Sequence, residues 1–176
     1  MRNHYWATCL ALACIASATN HAQRIVPSLA WEQLLYDSAC DVRSIVPSGD
    51  GGYLLGGRVY GPDAIFGQTD VILLKIDSQG AIQWERIFGG GGNDFLRSFK
   101  KAPNGGYIFA ATSDSAPSGN KEAPLLGRHD AWAVKVDAER NKEWEKSVGG
   151  AGQDSADSIW PEGDGGSIAG GSSQIG

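Results

Sequence analysis

A long-period repeat governs what this chain can fold into. Trp-Glu pairs stand at Trp31-Glu32, Trp84-Glu85 and Trp144-Glu145, 53 and 60 residues apart. In the same phase come Gly51-Gly52-Tyr53-Leu54-Leu55-Gly56-Gly57, Gly105-Gly106-Tyr107-Ile108-Phe109-Ala110-Ala111 and Gly165-Gly166-Ser167-Ile168-Ala169-Gly170-Gly171. The stretch from Asp70 to Asp77 matches the stretch from Asp130 to Asp137. A unit that recurs in this way buries its apolar face only by stacking on its neighbour, so the period constrains the architecture and leaves the activity open. Cut before each Trp-Glu pair, the units are 31–83, 84–143 and a partial 144–176.

Within a unit the hydrophobic period is two. Ile72, Leu74 and Ile76 share one face, and Trp132, Val134 and Val136 share the matching face one repeat later, with Lys75 and Lys135 on the opposite side. Alternation of β-branched and aromatic residues predicts strands. Asp77-Ser78-Gln79-Gly80 and Asp137-Ala138-Glu139-Arg140-Asn141 follow as tight hairpin turns, with Gly80 and Asn141 suited to a positive φ. The strands carrying Trp84 and Trp144 come next and end at glycine clusters. Strands beginning at Asp94 and Asp154, and a fourth at 106–111, complete a predicted unit of four antiparallel strands. With no helical period beyond residue 30, the expected fold class is all-β: four-stranded antiparallel blade repeats of an incomplete β-propeller.

Residues 1–22 read as a secretory leader, with Arg2 before an uncharged apolar run from Tyr5 to Ala18 and with Asn20-His21-Ala22 ending in a small residue before Gln23; 23–30 is a linker. The run is shorter than the roughly 20 residues of a membrane-spanning helix, so no membrane span is expected. Ala11-Leu12-Ala13-Cys14 also loosely resembles a lipobox, a second processing route that would acylate Cys14. Cleavage after Ala22 leaves Cys40 alone, which excludes an intrachain disulfide and favours a buried apolar role over a reactive one. It also leaves 14 basic and 20 acidic residues, with no basic cluster larger than Lys100-Lys101. Nucleic acid is therefore an unexpected partner.

The motifs point to structure before chemistry. Gly89-Gly90-Gly91-Gly92-Asn93-Asp94 lacks the Lys-Ser or Lys-Thr and the helix of a phosphate loop, and it recurs as Gly149-Gly150-Ala151-Gly152-Gln153-Asp154. Asp50 and Asp164 sit in acidic turns without the ligand count of a calcium loop. His129 is the single histidine beyond the leader, too few for a histidine zinc site, and no pair among the 20 acids stands out as catalytic. No cofactor is implied. Trp31, Trp84 and Trp144 in register with the repeat read as packing staples between blades, with ligand stacking as the alternative. The loop 112–129 is 18 residues against 12 for 58–69, and it is either a recognition loop or a neutral insertion.

Taken in order, Trp-Glu, Gly-Gly-x-Gly-x-Asp, Asp-Gly-Gly-Tyr and Asp-x-Trp-x-x-Lys-x-Asp resemble the β-propeller-type tandem repeat of secreted and cell-surface proteins of Bacteroidota-type bacteria. The resemblance spans about residues 31–176, and its positions here are Trp31, Trp84, Trp144, Gly51, Gly52, Gly105, Gly106, Gly165, Gly166, Asp70, Asp130, Asp94 and Asp154. Asn104 and Ser167 depart from its pattern. The resemblance implies an exported, noncatalytic binding or scaffolding module, periplasmic or at the cell surface, with an unidentified protein or glycan ligand. The segment from Asp77 to Trp84 is also similar to the tryptophan-docking propellers of quinone-dependent dehydrogenases and outer-membrane assembly lipoproteins, which would instead imply an enzyme or an assembly protein. Two units and part of a third fall short of the roughly four to eight blades of a closed propeller. The expectation is a fragment of a longer product, or blades completed by self-association.

Overall fold

The computed structural model describes residues 9–15, 28–36, 40–163 and 165–174. They form an all-β chain of antiparallel strands with no α-helix among them; the only helical turn is a 3-10 turn at Gly61–Asp63. Strands β3 (Cys40–Pro47), β4 (Tyr53–Tyr60), β5 (Thr69–Ile76) and β6 (Ile82–Phe88) make one four-stranded meander in chain order. A second meander consists of β7 (Asp94–Lys101), β8 (Tyr107–Ser113), β9 (Asp130–Val136) and β10 (Lys142–Val148). Strands β11 (Asp154–Pro161) and β12 (Ser167–Ser173) pair as the counterpart of β7 and β8. A repeating sequence can be cut anywhere. The sheets are divided at the glycine clusters, whereas cuts before the Trp-Glu pairs would fall inside them: Trp84 and Trp144 lie on the last strand of their sheets.

Before these sheets, β1 (Cys9–Ile15) pairs with β2 (Ser28–Tyr36). Residues 9–15, inside the stretch expected to be a leader, are thus extended, and a short apolar run of that length suits a strand as well as a leader core. Cys14 lies in β1, and Trp31 lies on β2 with its side chain outside the described residues.

The sheets stack face to face. One face of the first contributes Leu54, Val71, Leu73 and Phe88; the second answers with Leu96, Phe99, Phe109, Trp132, Val134 and Val136. Phe109 meets Phe88 at 5.3 Å and Trp132 edge-on at 5.6 Å between ring centroids. The other face of the first sheet packs Cys40, Leu55, Val59, Ile72, Leu74 and Ile76 with Leu35 of β2. Cys40 is 2 % exposed, so its thiol is sequestered in this apolar cluster. The far face of the second sheet packs Ile108 and Ala110 against Ala156 and Ile159 of β11. β5 is buried along its whole length, and between Thr69-Asp70 at its start and Lys75 near its end both of its faces are apolar.

Two local features recur with the repeat. In β3, β7 and β11 the pairing register skips one residue at Arg43, Arg97 and Asp157, a bulge at the same place in each first strand. The hairpin between first and second strands is closed by Ser48 N–H to Gly52 O, Ala102 N–H to Gly106 O and Glu162 N–H to Gly166 O. Its turn places Gly51, Gly105 and Gly165 at φ 89, which explains the first glycine of each Gly-Gly pair. The second needs glycine for space, as a Cβ on Gly52 or Gly106 would run into the carbonyl of Ile76 or Val136.

One turn expectation is corrected. Gly80 has φ 89, but in the matching turn Arg140 rather than Asn141 takes the positive φ, at 75. Arg140 is the residue aligned with Gly80, and a left-handed non-glycine residue costs about 1–2 kcal/mol. Its guanidinium lies 5.4 Å from the Trp84 ring centroid, a contact that offsets part of that cost. Asn141 instead donates its N–H to Asp137 Oδ1 at 2.7 Å.

Candidate functional site

The repeating aspartates organise turns. Asp70 Oδ2 accepts the N–H groups of Ile65 and Phe66 at 2.8 and 2.9 Å, and Asp130 Oδ2 accepts that of Leu126. Asp94 and Asp154 each accept, at 2.8 Å, the N–H of the second glycine in the preceding cluster, Gly90 and Gly150. Gly89 lies between the carboxylates of Asp70 and Asp94, and Gly149 between those of Asp130 and Asp154, so neither position has room for a Cβ. Burial raises Asp94 above the ordinary carboxylate range, against bonds from Ser113, Gly90 N–H and Ser115 and the charge of Lys121. Burial raises Asp70 likewise. Asp154 goes the other way, held down first by the Ser173 hydroxyl and then by Gly150 N–H.

The longer loop, which in the structure runs over 114–129 because β8 extends to Ser113, wraps the first glycine cluster. Five consecutive amides are each met by a side chain: Gly89 by Asn120, Gly90 by Asp94, Gly91 by Ser118, Gly92 by Ser115 and Asn93 by Asp114. Donors that could cradle a phosphate are thereby consumed within the chain. Lys121 anchors the wrap, its Nζ donating to the carbonyls of Ser115 and Ala123 at 2.8 and 2.7 Å and lying 5.7 Å from the Trp132 ring centroid. Burial lowers its pKa, opposed by the charges of Asp94, Glu145 and Asp130. Glu145, from the Trp-Glu pair, accepts Trp132 Nε1 at 2.7 Å and Glu122 N–H at 2.8 Å, tying β10 to this loop.

The tryptophans lie between sheets. Trp84 is half-buried against the inter-sheet core, 5.9 Å from the Tyr107 ring of the second sheet. Trp144 packs on the cluster of Ile108, Ala110, Ala156 and Ile159. Both stand away from open clefts and in contact with the following unit.

A concave surface forms where the first strands begin. Phe95 and Arg97 of β7, Thr112 of β8, His129, Gln153, Ser155, Ser172 and Gln174 line a cleft of about 250 Å³, together with Asp154, whose carboxylate accepts Gly150 N–H. The bulge at Arg97 turns it out of the ladder, and its Nε donates to Thr112 Oγ1 at 3.1 Å. Among the described residues no carboxylate lies within 4 Å of Arg97. His129 Nε2 is 3.8 Å from Asp114. In the first sheet Arg43 holds the place of Arg97, while Asp41 and Arg58 replace Phe95 and Thr112: Asp41 is paired with both Arg58 and Arg43, and Arg58 lies 5.3 Å from the Phe95 ring centroid. These pairs hold Asp41 below the ordinary carboxylate range against the opposing effect of its burial.

Sequence reading passed over Phe95, Arg97 and Arg58. Their signal is the extra residue of the bulge, which appears only in the register. Among the described residues no three metal-type side chains converge, and no helix is long and apolar enough to cross a membrane. The chain matches no protein-family model and shows no significant similarity to a curated protein.

Proposed function

We propose that this chain is an exported, noncatalytic binding or scaffolding module whose stacked sheets are propeller-type blades, and that ligand is held in the cleft around Arg97. One observation supports the reading: the frame repeats while the positions flanking the bulge do not, the bulge itself carrying Arg43, Arg97 and Asp157. Asp70 and Asp130, Asp94 and Asp154 and the glycine turns recur in matching roles, yet register-equivalent cleft positions read Asp41, Phe95 and Ser155, or Arg58, Thr112 and Ser172. A rigid frame presenting varied side chains on its edge is how recognition surfaces are built.

The chemistry suits an acidic glycan. Phe95 offers a ring to a sugar face, Thr112, Ser155, Ser172 and Gln153 offer hydroxyl and amide groups, and Arg97 offers a cation with no carboxylate partner. Binding of the full chain to a panel of neutral and acidic oligosaccharides tests this. Binding to acidic members that falls roughly tenfold in Arg97→Ala, about 1.4 kcal/mol, supports it. Binding to none, or binding indifferent to both Arg97→Ala and Phe95→Ala, sinks it.

A further inference from the structure

The second glycine cluster, 149–153, follows the pattern of the first, and the described residues include no wrapping loop over it. Only Gly150 N–H meets a side chain, that of Asp154 at 2.8 Å; among the described residues no side chain bonds the amides of Gly149, Ala151, Gly152 or Gln153. Gly149, Gly150 and Ala151 are exposed, where Gly89 and Gly90 are buried. The start of the wrap is nevertheless in place. Gln174 N–H bonds Gln153 O at 3.1 Å, the same bond that Asp114 N–H makes to Asn93 O at 3.1 Å.

Residue choice within the cluster follows contacts that, among the described residues, surround only the first copy. A Cβ on Gly90 would lie 2.7 Å from Ser115 Cβ and 2.9 Å from Ser118 Oγ, so the wrapping loop dictates glycine there. Gly150 occupies the equivalent position with nothing within 4 Å and no positive φ. Nothing that touches it requires glycine. At Gly91 a Cβ would sit at an ordinary 3.5 Å from Ser118 Oγ, and this is the position that becomes alanine, Ala151, in the second copy. The second cluster thus keeps glycine where a wrapping loop would collide and admits a methyl group where it would fit.

We infer that the cluster 149–153 is a docking site for a polypeptide loop of the 114–121 kind. Its chemistry is an acceptor side chain, two hydroxyls and a carboxamide followed by lysine, in the order Asp-Ser-x-x-Ser-x-Asn-Lys. The loop's oxygens take the amides of Gly149, Ala151, Gly152 and Gln153, and its backbone crosses over Gly150. This site lies in the turn between sheets and is independent of what the cleft around Arg97 binds.

The test uses the full chain labelled with ¹⁵N and a synthetic peptide of residues 113–123. Saturable amide shifts confined to 149–153, absent with a scrambled peptide, are expected. In the chain carrying Gly150→Ala, whose folding should be unaffected, apparent affinity should fall by roughly tenfold or more, because the new methyl occupies the loop's path. A peptide with Ala in place of Asn120 should bind as poorly, which keeps the test valid if the Gly150→Ala chain does not fold. Absence of shifts at millimolar peptide overturns the inference. So do shifts that survive both substitutions, or equal shifts from inorganic phosphate alone, which would make the open amides a simple anion site.

Discussion

The two glycine clusters share a sequence pattern and differ in what surrounds them. At 89–93 every amide is bonded by a side chain, Asp94 is enclosed and its pKa is raised by burial. At 149–153 a single side-chain bond is present among the described residues, and Asp154 is held below the ordinary range. The lesson is that the glycine motif specifies a backbone path but not its completion. The completing groups, Asp114, Ser115, Ser118 and Asn120, arrive from a loop 21 to 31 residues downstream of the amides they meet and carry no glycine signature. A glycine-rich turn is therefore half of a structure, and its meaning depends on which side chains fill the donors it presents.

The largest expected difference between the two regions is steric. Gly90→Ala should destabilise the fold by about 1–3 kcal/mol by forcing the loop off the turn, whereas Gly150→Ala should stay within about 0.5 kcal/mol. Urea unfolding of both variants reads this directly. Equal costs would mean that the loop does not press on Gly90 as its geometry indicates.

Next comes Asn120→Ala, which leaves Gly89 N–H and Ile87 O without partners, at a cost of about 1–2 kcal/mol. Hydrogen exchange should then show Gly89 exchanging almost as fast as Gly149. Continued protection of Gly89 in this variant would show that the loop's backbone, not Asn120, closes the turn.

A smaller effect separates the two aspartates by pH. Asp94 has a folded pKa above the ordinary 3.8, so its contribution is fully present below that value and is lost as pH rises through the raised one. Asp154 has a folded pKa below 3.8, so its contribution is present above that value and is lost as pH falls through the depressed one. On acidification from neutral pH, the parent chain should gain stability relative to Asp94→Asn and lose it relative to Asp154→Asn. Melting curves across the acid range should diverge in these opposite directions. Parallel curves would show that enclosure does not distinguish the two sites.

Much of the frame was legible because its signals are local and periodic. Alternation of Ile72, Leu74 and Ile76 is a property of adjacent residues, and the turn at Gly51 needs only the φ that glycine permits. The Arg140 turn was missed by one residue because alignment with Gly80 competes with the intrinsic turn preference of Asn141, and an arginine has a ring to lie against only once Trp84 is placed. The cleft was not legible. Arg97 reaches it because one extra residue breaks the pairing between Leu96 and Ser98, and no composition or period marks that point. The role of the loop 112–129 was equally hidden, since its wrapping bonds join groups up to 31 residues apart without a repeating pattern.

By itself the sequence determined that the chain is an array of antiparallel strands in units of fixed order, because side-chain alternation and turn chemistry act over a few residues. Only the tertiary structure decided where the sheets divide, which face of β5 meets which neighbour and which glycine cluster is closed. Those outcomes depend on contacts between residues far apart in the chain, whose energies exist only when the sheets are stacked.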